Sequence, residues 1–119
     1  EFRRVLFRSN KPMIIHGDGF QTRDFISIDD VVEAFNSAIP ILGKHGRVYN
    51  LAYGKSHSIK ELADLMLSTC NKKVDIVFTK QRKGEIRFSQ ADISRIKNEI
   101  GFNPTIELRI GIKKFLKNY

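Results

Sequence analysis

The stretch Gly17 to Phe25, GDGFQTRDF, runs almost directly into Ile28, Asp29, Asp30, Val31 and Val32. Two glycines on either side of an acid specify a tight turn, because glycine supplies the backbone angles such turns require. Upstream, Met13, Ile14 and Ile15 follow a proline and stop at Gly17, which predicts a short strand entering that turn. Phe25, Ile26 and Ile28 predict a second extended piece. Asp29 or Asp30 is then a suitable N-cap for a helix in which Val31, Val32, Phe35 and Ile39 recur at helical spacing until Pro40. Strand, turn, extended segment and amphipathic helix within thirty residues mark an α/β chain. Arg23 beside Asp24 aims a guanidinium out of an anchored loop, the arrangement that suits a phosphate or carboxylate.

The rest of the chain continues the alternation. Gly43 to Gly46 reads as a loop, and Val48 to Ala52 as a short strand ending at Gly54. Ser58 with Glu61 forms a capping box, and Ile59, Leu62, Ala63, Met66, Leu67 and Cys70 make the apolar stripe of the helix behind it. Val74 to Thr79 alternates like a strand, with Val74, Ile76 and Phe78 on one face. A basic stretch, Lys80 to Arg87, follows. Asp92 can cap a helix carrying Ile93, Ile96 and Ile100, closed by Gly101 and Pro104, and Thr105 starts a last helix with Leu108, Ile112, Phe115 and Leu116 on one face. The strands are too few for a full doubly wound sheet.

Composition narrows the function. The first nine residues, Glu1 to Ser9 (EFRRVLFRS), read as a translated sequencing-library adapter rather than as part of a domain. The authentic sequence is then expected near Asn10, as one portion (residues 10–119) truncated on its N-terminal side. Part of the net charge of +8 lies in Arg3, Arg4 and Arg8 of that stretch, and much of the rest in Lys113, Lys114 and Lys117 and around Lys80 to Arg87. Lysines in a last helical turn suit the helix dipole. No RNP aromatic pattern, zinc-finger spacing or helix-turn-helix signature accompanies them, so a small basic nucleic-acid-binding module is the alternative of another class and no nucleic-acid partner is expected. No apolar run approaches the ~20 residues that span a bilayer, and there is no signal-peptide pattern, so no membrane partner and a cytoplasmic location are expected. The single cysteine, Cys70, cannot form an internal disulfide and reads as a core residue in a reducing compartment. His45 and His57 have no metal-ligand spacing, and no metal is assigned.

Four segments, in order, resemble a known family: GDGFQTRDF with IDDVVEAF, then YNLAYGKSHSIKELADLM, then RKGEIRFSQADISR, then IGFNPTIELRIGIKKFL. The family is that of the nucleotide-sugar epimerases and dehydratases of the extended short-chain dehydrogenase/reductase group, the UDP-glucose 4-epimerase branch above all. The resemblance covers nearly all of Lys11 to Tyr119. It implies the C-terminal, substrate-binding lobe of an extended Rossmann-type enzyme, without the main parallel sheet. Arg23 matches the family arginine that binds the diphosphate, and Arg82 a second phosphate-binding arginine. Glu85 stands where the family commonly has an aspartate that accepts from the ribose hydroxyls, a capacity glutamate keeps. Ile14, Ile15 and His16 lie where the family lines the pyrimidine ring, although His16 departs from the usual aromatic. Ser27 departs too, since an aromatic or histidine is common just before the acids. Asp30 reads as a cap and Asp24 as an orienter of the arginine loop.

The same resemblance implies NAD bound by a glycine-rich turn, and a tyrosine paired with a lysine four residues later. Gly17 and Gly19 lack the third glycine and the preceding Rossmann strand, and no tyrosine has a lysine four residues on. Catalytic and cofactor-binding residues are therefore expected in the missing N-terminal portion, and none in this chain. The expected activity of the intact enzyme, itself expected to be a homodimer, is inversion at C4 of a nucleotide-linked sugar, expected to be UDP-linked and of the glucose/galactose type. A nucleotide-sugar 4,6-dehydratase or decarboxylase is the alternative within the family. The fragment itself is expected to be inactive and to expose an apolar face.

Overall fold

The computed structural model describes residues 11–41 and 46–117. The adapter reading of Glu1 to Ser9, most of the loop expected at Gly43 to Gly46, His45 and Tyr119 lie outside them. The chain folds as an α/β lobe in the order β1 (Met13–His16), β2 (Thr22–Asp24), α1 (Ile28–Ala38), a 3-10 turn (Ile39–Ile41), β3 (Ser56–Ser58), α2 (Ile59–Thr69), β4 (Ile76–Thr79), α3 (Ser94–Ile100) and α4 (Leu108–Lys117). Two small sheets result. β1 and β4 pair in parallel, Met13 opposite Ile76 through His16 opposite Thr79. β2 and β3 pair antiparallel, with Arg23 opposite His57.

Several local expectations shift, each for a visible reason. The second extended piece forms at Thr22–Asp24 rather than at Phe25 to Ile28, because Thr22 to Asp24 find a partner in β3. Ser27, not Asp29 or Asp30, caps α1, its Oγ accepting from the Asp29 N–H at 3.3 Å. Asp29 and Asp30 sit in the first helical turn, where negative charge suits the dipole. No strand forms over Val48 to Ala52. That segment is held by side chains instead: Asn50 Nδ2 donates to the Asp92 carbonyl at 3.1 Å, and Arg95 Nη1 to that of Val48 at 3.3 Å. Asp92 accepts from the Ser94 N–H at 2.8 Å, one residue outside the assigned cap of α3, Ile93. Thr105 does not start the last helix. It and Ile106 are held by Asp30, and α4 begins at Leu108.

The capping box at α2 forms as read: Glu61 N donates to Ser58 Oγ at 3.0 Å and Ser58 N to Glu61 Oε2 at 2.7 Å. Gly101 ends α3. Cys70 is half-buried at the C-cap of α2 rather than in the core.

The core is small. Ala34, Ala52, Ile93, Ile96 and Phe102 form one buried cluster, flanked by Ile26, Tyr49, Leu51, Ala91 and Ile100. Gly54 sits against it with φ +83°, and a Cβ there would come within 2.7 Å of Ile93 Cδ1. Elsewhere apolar side chains face outward: Ile28, Val32 and Phe35 share one face of α1 and, with Ile39 just past its end, are exposed. No helix among the described residues is long and apolar enough to cross a membrane.

Candidate functional site

The turn of the opening stretch is fixed from three sides. Gly17 and Gly19 both have positive φ (82° and 81°), which their lack of a Cβ permits. The Phe20 N–H donates to Asp18 Oδ1 at 2.9 Å, closing an Asx-type turn. Gly17 N donates to the Thr79 carbonyl at the end of β4, and the carbonyls of Gly19 and Gln21 accept from Lys60 and Ile59 at the start of α2. The turn thus leads into β2, not into a helix. It lacks the strand-turn-helix form that cradles a dinucleotide, so the residues here do not fit an NAD pocket.

The basic stretch after β4 folds back onto this turn. Thr22 N donates to the Arg87 carbonyl at 2.9 Å, and Arg87 Nη1 to Asp18 Oδ1 at 2.7 Å. The Arg87 bond, helped by the Phe20 N–H, holds the Asp18 carboxyl below its usual range. Arg23 then reaches across: Nη1 donates to the carbonyls of Thr22 and Ile86, both at 2.7 Å, and Nη2 meets Glu85 Oε1 at 3.5 Å. Gln21 completes the cluster. It is 3% exposed, and its Nε2 donates to the His16 carbonyl at 2.6 Å and to Glu85 Oε1 at 3.4 Å. Among the described residues, Gln21 Oε1 and Glu85 Oε2 are buried without a donor.

The structure therefore brings Arg23 and Glu85 together and sets Arg82 apart. Arg82 is exposed on the tip of the loop, and its side chain meets no partner among the described residues. Lys80 and Lys83 beside it are exposed as well.

Asp24 anchors the arginine loop without contacting Arg23. Its carboxylate collects the N–H groups of Tyr53 (2.9 Å), Gly54 (3.0 Å to Oδ2) and Ala91 (3.3 Å), tying three segments to the end of β2. Asp30 acts alike as a tether: Oδ1 accepts from Thr105 N and Oγ1, and Oδ2 from Ile106 N.

The strand residues divide. The Ile15 side chain is 3% exposed and belongs to the interior, so it offers a ligand no surface, while Ile14 is 56% exposed. Met13 and Gly17 donate their N–H groups toward the β4 side, so by parallel-ladder geometry the backbone groups of Ile14 and His16 face the other edge of β1. The His16 ring shares a hydrogen bond with Thr79 Oγ1 at 2.9 Å.

Gln21 and Arg87 were not among the residues the sequence singled out. Both lie within the segments that were, Gln21 between the glycine turn and Arg23. Among the described residues no group of three or more His, Cys, Asp or Glu could hold a metal ion. A separate groove of about 1040 Å³ runs past Met13, Phe25, Leu62, Met66, Ile112 and Phe115. Neither Arg23, Arg82 nor Glu85 lines it, and its walls are mainly apolar, so it is not where this cluster would hold an anion.

Fold and site together define an α/β lobe of the kind that forms the C-terminal part of Rossmann-like nucleotide-sugar enzymes. The chain belongs to the GDP-mannose 4,6 dehydratase family, whose model matches residues 4–115. It is 35% identical over 99 residues to dTDP-glucose 4,6-dehydratase of Streptomyces griseus, covering 82% of this chain and 30% of that protein. It is 34% identical over 105 residues to a putative UDP-glucose 4-epimerase of Methanocaldococcus jannaschii, covering 88% and 33%. Among solved structures, UDP-glucose 4-epimerase of Thermotoga maritima, determined with UDP-glucose, matches with a TM-score of 0.85 at 27% identity. That match covers 98% of this chain and 38% of the other. The chain thus spans about a third of the length of the curated relatives it matches.

Proposed function

We propose that this chain is the nucleotide-gripping lobe of an enzyme that inverts C4 of a UDP-linked sugar. The observation that carries the reading is Glu85: one carboxylate oxygen is fixed by Arg23 and Gln21 while Oε2 stays buried and unspent, and three residues upstream the exposed side chain of Arg82 meets no partner among the described residues. A carboxylate held this way accepts from ribose hydroxyls, and Arg82 with Arg23 offers donors to the diphosphate. The outward N–H groups of Ile14 and His16 and the Ile14 carbonyl offer an edge to a pyrimidine, the His16 carbonyl being taken by Gln21, and Ile14 adds an apolar wall. Ile15 supports that strand from the interior.

The reacting centre lies elsewhere in the intact enzyme, expected to be a cytoplasmic homodimer. NAD, bound by its N-terminal portion, supplies reversible oxidation at the sugar. What this lobe contributes is binding energy remote from the reacting carbon, which positions the sugar without taking part in bond changes. Relatives named as epimerases and the solved epimerase with UDP-glucose support the reading. The RKGEIRFSQAD stretch also leans toward epimerase.

A 4,6-dehydratase of the same family is the second reading, favoured by the 35% identity to the Streptomyces griseus enzyme. The test is to supply the full-length enzyme with NAD and UDP-galactose and follow the sugar by NMR. Interconversion with UDP-glucose is expected. A 4-keto-6-deoxy product would establish the dehydratase instead, and absence of binding to any nucleotide sugar would overturn both.

A further inference from the structure

The groove of about 1040 Å³ beside α2 and α4 takes no part in the anion cluster, and its chemistry is different. Its walls are two helical rows: Leu62 and Met66, four residues apart on α2, and Leu108, Ile112 and Phe115 on α4, which packs on α2. Phe25 adds to the lining. None of these side chains is buried, and none belongs to the buried cluster around Phe102. An apolar seam left open between two packed helices marks a place where something else packs.

The chain itself arrives there. Lys11 and Met13 line the groove, and Met13 opens β1. The part matched by this chain is 30% of one curated relative and 33% of another, so the intact enzyme has a long stretch of polypeptide to place. Whatever precedes Lys11 is delivered to the mouth of the groove, and connections between packed elements are mostly short, about 2 to 8 residues. A strand would find no ladder to join, because the open edge of β1 carries the groups of Ile14 and His16, and neither lines the groove. A helix satisfies its own backbone and lays an i, i+3, i+4 stripe between two helices whose rows have the same spacing. A second copy of the chain is a poorer fit. Lys11, Lys72, Lys114 and Lys117 stand along the groove, and of these Lys114 is the one with an ion pair among the described residues, to Asp29 at 2.8 Å. A chain of net charge +8 would meet like charge on docking there.

We propose that the groove seats an amphipathic helix formed by the segment directly upstream of Asn10 in the intact enzyme. The lobe is then completed by its own lead-in, which α2 and α4 grip from two sides, rather than by a partner or a second copy. The proposal stands whichever nucleotide sugar the enzyme binds.

The two methionines of this chain, Met13 and Met66, both line the groove, which gives the test its probe. The full-length enzyme is made with photo-methionine, whose diazirine loses nitrogen on illumination and leaves a carbene that inserts into a bond in contact with it. Met66 is the informative site, since Met13 adjoins the upstream segment in sequence. Peptide mapping is expected to place the Met66 cross-links within about 25 residues before Asn10, the length of one short connection and one ordinary helix. Cross-links to a more distant part of the chain, to a second protomer, or to solvent alone overturn the proposal. Hydrogen peroxide on the unlabelled enzyme gives a second reading that does not depend on the analogue. Met66 should oxidise on the order of 10-fold more slowly than free methionine, and serine substitutions along the apolar stripe of the upstream segment should restore the fast rate. Oxidation of Met66 as fast as free methionine in the wild type, or a slow rate unchanged by those substitutions, overturns it as well.

Discussion

Replacing Asp30 with alanine should loosen the junction between α1 and α4 by an amount the geometry allows one to work out. Asp30 is 3% exposed, and its two oxygens accept three bonds: Thr105 N at 3.0 Å, Thr105 Oγ1 at 3.1 Å and Ile106 N at 3.0 Å. A hydrogen bond to a charged group contributes about 1.5 to 3 kcal/mol net, and an orphaned buried donor costs about 1 to 3 kcal/mol. Thr105 is exposed and its N–H and hydroxyl can turn to water, so its two bonds contribute only about 0.5 kcal/mol each. Ile106 is half-buried, and its N–H loses more. The sum is about 3 kcal/mol, or ~100-fold in the local opening equilibrium. Amide hydrogen exchange of the folded enzyme reads this directly: Thr105 and Ile106 should exchange ~100-fold faster in Asp30→Ala, while the Ile96 amide in α3 stays as protected as in the wild type. Asp30→Asn, which keeps one acceptor oxygen, should fall between. Unchanged exchange at both amides in Asp30→Ala would refute the reasoning, because those donors would then have an equivalent partner.

Other perturbations separate further parts of the lobe. Gly54→Ala forces a side chain onto a residue at φ +83° and brings its Cβ within 2.7 Å of the buried Ile93, so a loss of about 2 to 4 kcal/mol is expected in urea denaturation. A stability within 0.5 kcal/mol of the wild type would show that Ile93 yields freely. Glu99 is held down to about 2, from the usual 4.5, chiefly by hydrogen bonds from Arg47 and Tyr49. A folded-state value below the unfolded one stabilises above about pH 4.5 and is lost as pH falls toward 2. NMR titration of the Glu99 carboxyl should therefore give a midpoint well below 4.5 that returns toward it in Arg47→Ala; a normal midpoint in the wild type would contradict the network. Arg82→Ala should weaken UDP binding ~10-fold or more with no change in melting temperature, since the exposed side chain meets no partner among the described residues. Arg23→Ala should lower both, because it also removes the bonds to Thr22 and Ile86. Unaltered nucleotide-sugar affinity in both arginine variants would remove them from the site.

What could be read from the chain depended on whether the cause was local. The capping box at Ser58 and Glu61, the turn at Gly17 to Gly19 and the stop at Gly101 are set by a few adjacent residues, and each forms as the sequence predicts. The strand expected at Val48 to Ala52 failed because its apolar run was local but its partner was not: hydrogen bonds to the stretch Asp92 to Glu99 take the place of a ladder. Ser27, Asp29 and Asp30 are all competent caps by residue type. Only the position of Thr105 and Ile106 decides that Asp30 is spent on them, leaving Ser27 to the helix. The site divides in the same way. Arginines in loops announce themselves, whereas the importance of Gln21 comes from burial between His16 and Glu85, sixty-four residues downstream.

That burial couples two contacts the sequence presented as separate. Arg23 is not a free guanidinium waiting for phosphate, since Nη1 is spent on two carbonyls at 2.7 Å. Its link to Glu85 is long, 3.5 Å against the roughly 2.7 to 2.9 Å of a strong charge-assisted bond, and so exchanges at little cost. Among the described residues of the loop after β4, the positive charge outside any ion pair is that of Lys80, Arg82 and Lys83, which makes the loop tip a point of attraction for an anion. A ligand that then offers hydroxyls to Glu85 compensates the carboxylate for a weakened bond to Arg23 Nη2, and that Nη2 can turn to the diphosphate. Ribose and phosphate recognition would on this account strengthen each other through one glutamate, so Glu85→Gln should reduce the contribution of Arg23 to UDP affinity more than that of Arg82. A double-mutant cycle in which Glu85 couples equally to both arginines, or to neither, would break that chain of reasoning.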